Sequence, residues 1–226
     1  MVDRLTASTG DRVPRSELVT EESERYPPTG PSTMNKANFK QIDSEEAFVE
    51  ILKQHQLFRE DDVVFDDLSD GKLYVYTGDD FQVDTDLLES MEIGGLLVEG
   101  SVRAESISVS DILGDAGVFC VTGDLRCRDM LYMTEMTGVG IGQDLVIDNF
   151  FYSDCGNSGL QVNGNLTAKL FFNFQCEIDV RGEENVQLDE SASADELVAL
   201  GLPVADGERP NAALQRYFKV GNYRDA

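Results

Sequence analysis

The stretch VTGDLRCRDML, residues 121–131, alternates like a hairpin about a Gly-Asp turn. Related phrases stand before and after it: LLVEGSVRAESI, GIGQDLVIDNF and LQVNGNLTAKLF. With the turn residue as anchor, the copies fall at Asp79, Gly100, Gly123, Gln143, Gly164 and Gly182, spaced 21, 23, 20, 21 and 18 residues apart. A period near twenty constrains the chain more than any single motif, because such repeats are units that bury their apolar faces only by stacking. Two residues before the anchor stand Thr77, Val98, Val121, Ile141, Val162 and Val180; four before stand Val75, Leu96, Phe119, Val139, Leu160 and Ile178. Two after come Phe81, Val102, Leu125, Leu145 and Leu166, until Glu184 breaks the series; four after come Val83, Ala104, Cys127, Ile147, Ala168 and Val186. Seven after, Ile107, Met130, Phe150 and Phe171 fill the middle copies. Alternate residues of a strand point to opposite faces, so each copy offers two short strands with one inward face. The polar residue beside the anchor (Asp124, Asp144, Asn165) and the glycine suit a sharp corner.

Two architectures fit this pattern: a meander of antiparallel hairpins, and a β-solenoid in which each copy is one coil. Stacking requires that a slot keep its character from coil to coil, and a meander does not. The connectors DILGDAG, TEMTGVG and SDCGNSG vary as surface insertions do. The expected fold is therefore mainly β, a single-stranded β-solenoid or parallel β-helix of five to six coils over residues 73–186.

The flanks read differently. Residues 1–40 are polar, with the breaker YPPTGPST, and are expected to be a flexible arm in which Met34 offers a second start. Residues 41–72 are expected to hold a capping helix and a first strand. The helix spans DSEEAFVEILKQHQLF, with Asp43 and Glu46 in capping-box positions and Phe48, Ile51, Leu52 and His55 on one face. VVF, residues 63–65, and KLYVYT are strand candidates. Residues 187–226 are expected to form a helical cap, starting in SASADELVALG and continuing in RPNAALQRYFKVGN with Leu214, Tyr217 and Phe218 on one side.

The repeated V-x-G-D/N-L-x-A/C phrase over residues 73–182 resembles that of the bactofilins, polymer-forming bacterial proteins with a β-helix core between flexible ends. It is also similar to that of bacterial solenoid proteins found in toxin–immunity neighbourhoods. The resemblance implies the coil, and through it either a polymer or an inhibitor of a toxin.

Charge narrows the choice. The chain carries 43 acidic and 18 basic residues, a formal net charge of −25. Residues 1–42 balance at six of each, whereas residues 43–92 hold sixteen acids against three bases. Such a field repels nucleic acid and anionic membrane and steers a basic partner inward. No apolar run approaches the ~18 residues of a membrane helix, and the N-terminus lacks the apolar core of a signal peptide. Cys120, Cys127, Cys155 and Cys176 form no CxxC pair, and the expectation is reduced thiols in a cytoplasmic protein.

Catalytic signals are weak. His55 is the one histidine and lies in an apolar pattern, so no histidine triad is expected. GVGIGQD, residues 138–144, lacks GxGxxG and a P-loop lysine and reads as a coil corner. The acids of DDVVFDDLSDG miss the calcium-loop spacing. Carboxylate pairs such as Asp84 and Asp86 leave a polysaccharide-cleaving solenoid as a third class. Arg103, Arg126 and Arg128 are expected to pair with Glu105 and Asp129. The expected function is a non-enzymatic binding module, without metal or cofactor. It would neutralise a basic protein, such as a nuclease toxin, in the manner of an immunity protein or antitoxin. Its partner-binding residues would be Asp61, Asp62, Asp66, Asp67, Asp79, Asp80, Asp84 and Asp86. The alternative is a bactofilin-like structural polymer.

Overall fold

Inward slots of constant character demand strands in parallel register, and the computed structural model has them. It describes residues 35–58, 71–78, 81, 83, 85–113, 116–134, 136–154, 156–189 and 191–199, with 204–205, 207–210, 212–213 and 216 beyond. One sheet, A, orders β1 (Phe39–Ile42), β2 (Lys72–Tyr76), β3 (Ile93–Val98), β5 (Gly117–Val121), β7 (Thr137–Ile141), β9 (Gly159–Val162) and β11 (Glu177–Val180). The other, B, orders β4 (Val102–Ser108), β6 (Leu125–Tyr132), β8 (Leu145–Ser153), β10 (Leu166–Asn173) and β12 (Glu184–Asp189). Every pairing is parallel except that of β1 with β2. Each coil is thus a strand of A, a corner and a strand of B, the arrangement of a β-solenoid.

The slots read from sequence become ladders. Val102, Leu125, Leu145, Leu166 and Glu184 stand in register, as do Ala104, Cys127, Ile147, Ala168 and Val186. Two slots need correction. In the first coil Tyr74 pairs with Leu96 and Tyr76 with Val98, so Gly78 rather than Asp79 holds the anchor place. The tyrosines turn inward against Phe39 and Phe81, while Val75 packs outward. In β8 one extra residue opposes the span from Cys127 to Asp129. This bulge gives Phe151, not Phe150, the core slot, and Phe151 stacks on Phe171 with centroids 4.4 Å apart.

Corners are closed by backbone and side chain together. Gly123 N donates to Gly100 O and Gly164 N to Gln143 O. A Cβ on Gly123 would stand 2.7 Å from the Gly100 carbonyl oxygen, which explains glycine there. Beside this run a polar ladder climbs the solenoid. Asp124 N donates to Ser101 Oγ at 3.0 Å, Asp144 N to Asp124 Oδ1 at 3.1 Å, Asn165 N to Asp144 Oδ1 at 2.7 Å and Glu183 N to Asn165 Oδ1 at 2.9 Å.

The helix near the N-terminus and the short C-terminal helix pack along the outer faces of the two sheets. The helix α1 (Glu45–Gln54) is capped by Ser44, whose Oγ accepts from Ala47 N at 3.2 Å, and not by Asp43. Phe48 and Leu52 of α1 and Leu57 beyond it bury against Leu73, Val75, Leu97, Val118 and Cys120 on the outer face of sheet A. His55 is exposed at the end of α1 rather than on its apolar face, because the helix ends at Gln54 and Gln56 turns to a positive φ of 55°. The next residues run across later coils. Phe58 lies 3.0 Å from where a Cβ of Gly140 would stand, and Asn163 Nδ2 donates to Gln56 O at 2.8 Å. Gly138 and Gly140 are therefore strand residues of β7 under Phe58, and of GVGIGQD only the end forms a corner.

The helices α2 (Thr85–Met91) and α3 (Val109–Leu113) pack on each other, and α3 also packs against β3 and β5, with Leu88, Met91, Ile112 and Leu113 in the main core. Thus α2 follows Phe81 and Val83 where a strand of sheet B was expected. The helix α4 (Ala194–Ala199) starts in a capping box: Glu196 N donates to Ser193 Oγ at 3.3 Å and Ser193 N to Glu196 Oε2 at 2.8 Å. It buries Leu197 against Leu131, Phe150, Tyr152, Leu170 and Phe172 on the outer face of sheet B. Residues 1–34, the VVF strand candidate, and Leu214, Tyr217 and Phe218 lie outside the described residues.

Candidate interaction surface

Of the eight aspartates expected to bind a partner, Asp61, Asp62, Asp66, Asp67, Asp79, Asp80 and Asp84 lie outside the described residues. Asp86 is described: it is exposed in the first turn of α2, where a carboxylate also complements the helix dipole. That turn lies at the first-coil end of the solenoid.

Two basic residues of sheet B, Arg126 and Arg128, sit in ion pairs. Arg126 Nη2 lies 3.0 and 2.9 Å from the two carboxylate oxygens of Asp148. Arg128 does meet both expected partners, Glu105 at 3.0 Å and Asp129 at 2.8 Å. Asp129 also accepts from Asn149 Nδ2 at 2.7 Å, at the β8 bulge. Its carboxyl is almost fully buried, and desolvation pushes its pKa up while the bonds from Arg128 and Asn149 pull it back; the net is upward. This cluster knits three coils together, through β4, β6 and β8, and leaves Arg126 and Arg128 with acid partners.

Nucleophile chemistry finds no support in the thiols. Cys120, Cys127 and Cys176 are free and buried. Burial pushes the thiols of Cys120 and Cys127 far up, the reverse of an activated thiolate. Cys155 lies outside the described residues. Among the described residues no three His, Cys, Asp or Glu side chains gather as a metal site. No helix among them is long and apolar enough to cross a membrane.

Sequence reading passed over the last coil. There Glu177, Arg181, Glu183 and Glu184 are exposed and Asp179 is half-buried. The signal was present in the break of the leucine series at Glu184. Comparison with protein-family models, curated proteins and solved structures finds no match. Function must therefore be argued from surface and charge.

Proposed function

We propose that this chain is a non-enzymatic binding protein that sequesters a basic protein partner, as an immunity protein or antitoxin neutralises a cationic toxin such as a nuclease. The observation that carries the reading is the charge: −25 overall, with sixteen acids against three bases in residues 43–92. Carboxylates displayed by a rigid scaffold would occupy the cationic sites that the partner uses for phosphate. Asp86 on α2 belongs to this acidic stretch.

The test is association with a partner recovered by affinity capture, with Asp61, Asp62, Asp79 and Asp80 changed together to lysine. Reversal of four charges slows association by about tenfold or more at low salt and by far less at high salt, the behaviour of electrostatic steering. Unchanged association at low salt would overturn the reading.

A second reading, an end-to-end structural polymer, draws on one feature: among the described residues no strand pairs beyond β11 and β12. At the opposite end of sheet A, antiparallel β1 lies outside β2, so a parallel coil cannot simply stack on that edge. Negative-stain imaging of the full chain separates the readings, since filaments support the polymer and discrete particles the binder.

A further inference from the structure

The last coil presents two parallel strands whose outer edges have no described partner. In a parallel ladder alternate residues bond to one neighbour and the rest turn away. Glu177 N donates to Ser158 O and Arg181 N to Val162 O, both at 2.9 Å, so Ile178 and Val180 of β11 turn their N–H and C=O groups to the edge. Leu166 N donates to Glu183 O, which likewise turns Glu184 and Val186 of β12 outward. Side chains tell the same story. Ile178, Val180 and Val186 are only half-buried, whereas Leu160 and Val162, the equivalents of the first two one coil earlier, are buried. Glu184 occupies the slot that Val102, Leu125, Leu145 and Leu166 fill with apolar groups.

We infer that the β11–β12 edge is a docking site for an extended basic segment of another protein, which adds to the solenoid as a further strand. This rests on the proposed function in taking the partner to be basic. A strand added in register sets its own slot residue over Glu184, where leucine would desolvate the carboxylate and lysine or arginine pairs with it. Its alternate apolar residues continue the half-open slots of Ile178, Val180 or Val186. Glu177, Asp179, Glu183 and Glu184 against Arg181 give the edge an acidic rim. A second copy fits less well, because neither β11 (EIDV) nor β12 (ENVQLD) contains a basic residue to set over Glu184. This is strand addition at an exposed edge, with the backbone giving affinity and the charges giving selectivity.

The test uses the full chain and four short fluorescent peptides: alternating valine–lysine, the same peptide N-methylated on alternate residues, valine–threonine and valine–glutamate. The valine–lysine strand is expected to bind, and the other three about tenfold more weakly or worse. Bound peptide slows amide exchange at Ile178, Val180 and Val186. Val180→Pro removes an outward N–H, a place where an edge strand accepts proline, and weakens binding about tenfold at an unchanged Tm. Should that variant fold poorly, Glu184→Gln weakens the valine–lysine peptide and leaves the valine–threonine peptide unaltered. Equal binding of the N-methylated peptide overturns the edge while leaving the charge reading intact. Equal binding of valine–threonine overturns the basic occupant. Protection of these amides in the free monomer means that the chain covers its own edge, and protection only at high protein concentration means that a second copy does; either overturns the inference. The proposed function falls by a different result, unchanged low-salt association of the four-lysine variant with its captured partner.

Discussion

Two acids of this protein show how one residue type can serve as scaffold or as liability. Asp144 stands in the corner ladder with its oxygen bonded to Asn165 N and its own N–H bonded to Asp124. Asp129 is enclosed at the β8 bulge, and its ionised form is disfavoured by burial more than Arg128 and Asn149 restore it. A carboxyl whose pKa is raised in the folded state takes up a proton more readily folded than unfolded. Its contribution to stability is therefore least favourable above the folded pKa and improves as pH falls through that value toward the unfolded one. Asp129→Asn keeps an acceptor for Arg128 and removes the titration. The variant should lose this improvement as pH falls from neutral toward the ordinary aspartate range, read as the difference in Tm from the unaltered protein across that fall. A difference constant with pH would show that Asp129 does not titrate there. Sequence alone marked Asp124, Asp144 and Asn165 as corner residues, since each follows the repeat's anchor and Asp and Asn favour turns. The enclosure of Asp129 was invisible, because it depends on a bulge in a neighbouring coil.

Among the elements, α1 makes the sharpest prediction. Phe48 is fully buried between the helix and the outer face of sheet A, in one cluster with Cys120. Phe48→Ala should cost about 3–5 kcal/mol in chemical denaturation. It should also raise alkylation of Cys120, under α1, before that of Cys127, which lies in the main core. Equal exposure of the two thiols would mean that α1 and the solenoid unfold as one unit. The parallel strands were legible in sequence because their inward slots repeat at a near-constant period. The position of α1 was not: Val75, Leu97, Val118 and Cys120 are apolar on the opposite face, and alternation centred on the inward slots treats that face as solvent. The acidic stretch expected to bind a partner was equally plain in composition, but of its eight named aspartates only Asp86 is among the described residues. The first coil misled for a similar reason. Val75 and Thr77 suit the inward slots by type, yet Tyr74 and Tyr76 reach farther and fill the wide end near Phe39 and Phe81.

The whole molecule is held together against its own charge. At −25 the folded chain concentrates repulsion that unfolding relieves, and salt screens it: the Debye length falls from ~10 Å at 0.1 M to ~3 Å at 1 M. Tm should rise with added sodium chloride over that range, as followed by circular dichroism. A flat or falling Tm would mean that local pairs such as Arg126 with Asp148 outweigh the net field. The bond from Asn163 to the Gln56 carbonyl spans 107 residues of sequence and ties the segment after α1 to a late coil. That tie bears on birth rather than stability. A ribosome releases α1 before the strands that cover it, so during synthesis its apolar side waits for Leu97, Val118 and Cys120, and the Gln56 carbonyl waits longer, for Asn163. A chaperone that shields Phe48 and Leu52 in that interval would act on the nascent chain alone and have no surface to hold once the strand of Val118 and Cys120 is in place.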